Sequence, residues 1–268
     1  MQTVKTIAAG RWRFSVACRK RSRSDSPKAR AAKAKHSSDA QKILNRKLSA
    51  IGATGIIAVN FADNPKSRFI TLTFDKDHYP VTDKVQELYA YAERQADLFL
   101  QRGRRLCKLR GRELKAFWFL GRGERGRYHI HVITDAFSGD DLRALWQRGN
   151  VDYHYLNDRQ DDPEKWDFVR DNGNVDPAQI AGYAIRNATE ACPLGKHLWH
   201  ASKTCQRAAA EQTFEIDDNT PIPVPDESDI INEEIRRNDY SEFRVVEFIL
   251  PVGAKVQISP GIGWHAIE

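Results

Sequence analysis

Arg127-Tyr128-His129-Ile130-His131-Val132-Ile133-Thr134 is the stretch on which the fold turns. β-Branched and aromatic residues dominate it and its polarity alternates with a period of two, which predicts a β-strand. Residues i and i+2 of a strand share a face. His129 and His131 therefore point one way, and Tyr128, Ile130 and Val132 the other. Two imidazoles about 7 Å apart along a strand can converge on one divalent cation. A half-exposed polar face is the plainer alternative.

Working outward, Lys115-Ala116-Phe117-Trp118-Phe119-Leu120 reads as a second strand. The Gly121-Arg122-Gly123-Glu124-Arg125-Gly126 loop joins it to the His strand as an antiparallel hairpin. Upstream, Arg68-Phe69-Ile70-Thr71-Leu72-Thr73-Phe74 alternates cleanly, and a helix is expected from about Asp83 to Lys108 with Thr82 or Asp83 as N-cap. Downstream, Ser138 caps a short helix through Arg148, Gly149 ends it, and Val151–Leu156 is a fourth strand. The order β-α-β-β-α-β implies an α+β class, an antiparallel split βαβ sheet of the ferredoxin-like or RRM-like kind. Its helices are expected on one face, with Thr71, Thr73, His129 and His131 free on the other.

A further helix is signalled by Asp176 as N-cap, Pro177 at its first position and Gln179 in a capping box. Ile180, Tyr183, Ala184 and Asn187 share a face of it, and Arg186 lies one turn beyond Tyr183, where it can hold an anion beside the phenol. A tyrosine on such a face is more often a packing residue.

The chain has 268 residues, a net charge of +6 and a pI near 9.1, which favours a polyanionic partner. Residues 1–50 hold fourteen Lys or Arg against Asp25 and Asp39; residues 211–240 hold ten Asp or Glu against Arg236 and Arg237. Residues 1–37 are expected as a flexible basic arm, 38–210 as the functional domain, and 211–268 as an acidic linker with a small strand-containing extension. Within that extension, 226–240 has a helical option, and Phe243–Leu250 is expected to pair with a strand near Lys255–Ile258. Ser38–Val59 has apolar positions too loosely spaced for a helix and is expected to lead into the first strand. Cys18, Cys107, Cys192 and Cys205 form no Cys-x-x-Cys pair, which argues for reduced thiols in a cytosol rather than structural zinc. No apolar run is long enough for a membrane span.

Taken together, Phe69-Ile70-Thr71-Leu72-Thr73, His129-Ile130-His131 and Ile180-Ala181-Gly182-Tyr183-Ala184-Ile185-Arg186 resemble the three ordered motifs of rolling-circle replication initiators of the HUH endonuclease superfamily. These are the enzymes of small phages and plasmids. Asn60-Phe61 and the Gly195–Lys203 trailer fit the same group, so the resemblance spans about residues 40–205. It implies a metal-dependent, site-specific nicking and rejoining of single-stranded DNA. His129 and His131 would hold Mg²⁺ or Mn²⁺, and Tyr183 would form a 5′-phosphotyrosine link, with Arg186 steadying the phosphate. Lys196, Lys203, Arg127, Thr71 and Thr73 would touch DNA. The implied partners are single-stranded or hairpin origin DNA, a host polymerase and, since no Walker-type loop is present, a host helicase, all in the cytoplasm of a prokaryotic host.

Three departures stand out. Arg186 replaces the usual Lys after the tyrosine, and Asn187 stands where a second tyrosine would, which is similar to single-tyrosine members. No acidic residue precedes the His pair on its neighbouring strand, so Glu124 in the hairpin loop is the nearest candidate third ligand. A relaxase or single-tyrosine transposase shares these motifs. A non-catalytic RRM-like module is the rival from another class, although the His pair has no place in base stacking. Trp118, Tyr153 and Trp199 could stack bases, but fit a core better.

Overall fold

The computed structural model describes residues 2–20, 39–159, 167–193, 196–209, 211–217, 220–237, 241–259 and 263–266. In chain order the elements are β1 (Gln2–Ala9), β2 (Trp12–Lys20), α1 (Asp39–Ile57), β3 (Arg68–Leu72), α2 (Val85–Leu109), β4 (Phe117–Arg122) and β5 (Tyr128–Thr134). There follow α3 (Gly139–Leu145), β6 (Val151–Tyr155), α4 (Pro177–Ala191), β7 (His200–Ala201), β8 (Gln212–Ile216), β9 (Asp229–Arg237), β10 (Ser241–Ile249), β11 (Val256–Ser259) and β12 (Gly263–Ala266). The class is α+β with antiparallel sheets. Two compact units share the chain: residues 46–206, and residues 1–45 with 207–268.

The central unit holds the sheet β6-β3-β5-β4-β7, antiparallel throughout. β3 and β4 run parallel with β5 between them, and the period-two pattern of β5 gives the sheet two buried faces rather than one. Ile70, Leu72, Trp118, Leu120, Tyr128, Ile130 and Val132 pack under α2 and α3. On the reverse face, Phe69, Phe117, Phe119 and Ile133 pack with Ala53, Ile56 and Ile57 of α1, Phe61, and Ile180, Ala181, Tyr183 and Ala184 of α4. The expectation of helices on one side and an open side carrying the histidines is therefore corrected. Four large apolar side chains share the histidine face, and leaving them in water would cost about 1.5–3 kcal/mol each. Ser38–Val59 is corrected likewise: it contributes to α1, which continues into one π-helical turn at Ala58–Ala62. In that turn the buried Asn60 amide donates to the carbonyls of Ile56 and Gln206 and accepts from the Gln206 N–H, locking residue 206 in place.

Local signals set the element ends. Asp176 caps α4 by accepting from the N–H groups of Ala178 and Gln179, and its second oxygen accepts from Arg170. α2 starts one residue later than the expected caps, at Lys84, whose N–H is bonded by the Thr82 hydroxyl. α3 stops at Leu145, not Arg148. Beyond it the Trp146 indole donates to the Thr73 carbonyl, and the Arg148 and Asn150 carbonyls accept from Asp75 and Thr73, which draws the chain out along β3. Trp118, Tyr153 and Trp199 are packing residues: Trp118 is buried and stacked on His200, Tyr153 packs against the α2-side core, and Trp199 donates to Ser49.

In the second unit the sheet order is β8-β1-β2-β10-β9. Residues 2–20, expected within a flexible basic arm, form the β1–β2 hairpin instead. Gln2, Val4 and Thr6 are buried while Thr3 and Lys5 are exposed, an alternation that the density of basic residues hides in the sequence. The rest of that arm, 21–37, lies outside the described residues. Residues 229–237 are a strand, not a helix, and β10 pairs with β2 and β9 rather than with the 255–258 segment, which pairs with β12. Ile222, in the expected linker, is buried in the core formed by Val4, Ala17, Phe214, Ile216, Val246, Phe248 and Trp264. No helix among the described residues is long and apolar enough to cross a membrane.

Candidate active site

The histidine pair and the tyrosine meet. β5 turns His129 and His131 to the α4 side of the sheet, where their ring centroids stand 4.6 Å apart at 82°. α4 carries Tyr183 onto the same face, with its Oη 3.3 Å from Nε2 of His131. Three aromatic rings, Phe69, Phe119 and Phe168, flank the phenol at centroid distances of 5.8, 5.9 and 6.1 Å and fix its direction. At the other ring nitrogen, His131 Nδ1 lies 3.1 Å from the Thr71 hydroxyl. With the proton on Nδ1, donated to Thr71, Nε2 keeps a lone pair that the Tyr183 hydroxyl or a cation can use.

Burial shapes the protonation of all three groups. It lowers His129 to about 4 and, with the neighbouring His129 adding to the effect, holds His131 well below 6.5. Both imidazoles are thus neutral near pH 7, the form that ligates metals. Burial raises the Tyr183 phenol, against the opposing Arg186 charge and a hydrogen bond from Asn187. A stability consequence follows for the metal-free protein. The unfolded chain binds protons on these histidines as pH falls through 6.5, whereas the folded chain does not until well below. Stability is therefore complete above pH 6.5 and declines towards pH 4, by about 3 kcal/mol for His129 alone. Urea unfolding with chelator present should show this decline, and His129→Gln should flatten it.

Gly121 is the residue that makes room. It lies directly across from His129 in the β4–β5 pair, and a Cβ there would sit 2.2 Å from His129 Nε2. The obstructing atoms belong to the far end of a side chain, so Gly121→Ala should leave the sheet intact while expelling the imidazole from its position. Mn²⁺ binding followed by titration calorimetry should weaken by about 10–100-fold, with circular dichroism unchanged. Wild-type affinity in that variant would mean that His129 takes no part. The sequence offers Gly121 only as a loop glycine; its role as a floor for the imidazole appears once the register is known.

The other expected site residues are spread more widely. Glu124 is exposed in the turn after β4, and no group of three His, Cys, Asp or Glu able to hold a metal occurs among the described residues. The nearest acid by register is Asp152, which shares the histidine face in the row Asp152–Thr71–His131, two strands and so about 10 Å from His131. Arg186 is exposed on α4. The Thr71 hydroxyl meets His131, and that of Thr73 donates to the Asn150 carbonyl at 3.4 Å. Arg127 lies over the Tyr79 ring, and Lys196 bonds Glu93 at 3.0 Å beside the Tyr89 ring, whereas Lys203 is exposed. His154, not singled out in the sequence, stacks on Phe69 at 5.6 Å on this face.

Comparison with curated proteins and with solved structures returned no match. A protein-family comparison did: residues 67–185, the span from the approach to β3 through His129, His131 and Tyr183, match a family of replication-associated proteins of the ORF2 type, so the segment that builds this site is similar to replication-associated proteins.

Proposed function

We propose that the protein initiates DNA replication by cutting and rejoining a single DNA strand through a covalent tyrosine intermediate, as a single-tyrosine HUH endonuclease on a ferredoxin-like split βαβ sheet. The observation that carries this reading is the convergence of His129, His131 and Tyr183 on one face, inside a segment similar to replication-associated proteins. A hydrogen-bonded packing tyrosine would need no second imidazole beside its partner.

The donor set suits a divalent cation in part. Two neutral imidazoles can hold Mn²⁺, or less readily Mg²⁺, with phosphate oxygens and water completing the shell. When bound, the cation would draw charge off a non-bridging oxygen of the scissile phosphate. The chain's own residues do the rest. Thr71 accepts from Nδ1 of His131 and so holds the tautomer that leaves Nε2 free. Tyr183 supplies the oxygen that becomes esterified to the 5′-phosphate as the bond to the upstream 3′-oxygen breaks. Phe69, Phe119 and Phe168 keep water from the flanks of the phenol and hold it in line. Arg186, one turn along, steadies the phosphate charge. The ester preserves the energy of the broken bond, so rejoining needs no nucleotide cofactor, and the released 3′-hydroxyl can prime a polymerase.

Incubation of the protein with labelled single-stranded DNA from its own replicon and Mn²⁺ tests this. A covalent adduct should appear on a denaturing gel, depend on the metal, and map to Tyr183 after proteolysis. DNA binding without an adduct under Mg²⁺ or Mn²⁺ would favour the RRM-like binding module instead.

A further inference from the structure

A row of unneutralised cations lies at the far end of the central sheet from the histidines. The C-terminal part of α2 and the turn after it carry Arg102, Arg104, Arg105, Lys108, Arg110 and Arg112, with Glu113 the first acid to follow. Two of these have structural work: Arg102 donates to the Leu145 carbonyl, and Arg110 holds Asp141 through two 2.7 Å bonds. One cation in the last turn, Lys108, suffices to offset the helix dipole. Arg104, Lys108 and Arg112 are exposed, and none forms an ion pair with a described residue. They recur every fourth residue and so fall in one row, about 6 Å apart along the axis. Gly111, at a φ of 66°, turns the chain so that the Arg112 N–H reaches the Cys107 carbonyl, which keeps Arg112 at the end of that row.

These three side chains form one wall of a groove whose other wall carries Lys203, and Glu113 is the one acid among its lining residues. The groove lies before the start of β4, whereas Gly121 and His129 lie at that strand's other end, roughly 20 Å away. We infer that this groove binds the backbone of single-stranded DNA flanking the segment held at Tyr183, one phosphate at each of the three row positions. A fixed row of equally spaced cations matches a chain of equally spaced anions, and it carries no hydrogen-bonding pattern that would read bases.

The identity of the partner rests on the strand-transfer reading above, but binding can be measured without any adduct. Fluorescence anisotropy with an oligothymidylate and chelator, over a range of salt, reads it directly. The triple variant Arg104→Gln, Lys108→Gln, Arg112→Gln should bind about 100-fold more weakly near 0.1 M salt, and its salt slope should flatten by about 2. Lys203→Gln, from the opposite wall, should lose about fivefold. A control with the same charge loss elsewhere, Lys66→Gln, Lys76→Gln, Arg94→Gln, should bind like the wild type. Wild-type affinity in the groove triple, an equal loss in the control, or a loss confined to duplex DNA would each overturn the inference. A protein whose groove binds but which never forms an adduct would instead fail only the strand-transfer reading.

Discussion

Tyr183→Phe should abolish the covalent adduct while leaving DNA binding and the fold in place. The phenyl ring keeps its contacts with Phe69, Phe119 and Phe168, so the packing of α4 on the sheet is retained. What disappears is one oxygen and a 3.3 Å hydrogen bond to His131, whose loss costs about 1 kcal/mol. An unfolding midpoint near that of the wild type is therefore expected beside a complete loss of labelled protein on the gel. Metal affinity should hold or rise slightly, because the lone pair on Nε2 of His131 no longer has the phenol as a competitor. An adduct that persists in this variant would move the nucleophile elsewhere and end the role assigned to Tyr183.

The second large effect concerns stability. Gly149→Ala should destabilise the central unit by about 4 kcal/mol or more. Its φ of 152° is disfavoured for any residue with a Cβ, and that Cβ would stand 2.2 Å from the Thr73 carbonyl oxygen and 2.7 Å from the Asp75 nitrogen. These are backbone atoms already fixed by the bonds from Thr73 and Asp75 to Asn150 and Arg148, so the chain cannot rotate away as a side chain would. The urea midpoint should fall sharply. A small change would mean that the end of β3 is far more pliable than its hydrogen bonding indicates.

The strands and helices of the central sheet are legible in the sequence because their signals are local. The alternation around His129 and His131, the cap at Asp176-Pro177 and the turn at Gly123–Gly126 each fix an element without reference to anything distant. What is not legible depends on the second layer. Phe69, Phe117 and Phe119 declare that the histidine face needs cover, but α1, whose apolar positions look irregular, gives no sign that it supplies part of it. The β1–β2 hairpin is obscured for another reason: arginines and lysines occupy its exposed positions, and their density masks the period-two pattern beneath. In the site, the two histidines and the tyrosine can be singled out by residue type and spacing. Thr71 against His131 and Gly121 beneath His129 cannot, since each depends on strand register rather than on any motif.

The two ends of the chain fold together, which bears on how the protein is made. The side chain of Gln2 donates to the carbonyl of Asp217, 215 residues later, and β1 and β2 are flanked by β8 and β10. The contiguous stretch 46–206 can collapse as soon as it leaves the ribosome, whereas the first hairpin must wait, its apolar side unsheltered, until the final strands emerge. A premature stop after residue 206 would thus spare the chemistry and orphan the opening strands, making aggregation of the amino-terminal segment, rather than loss of strand cleavage, the phenotype of such a truncation.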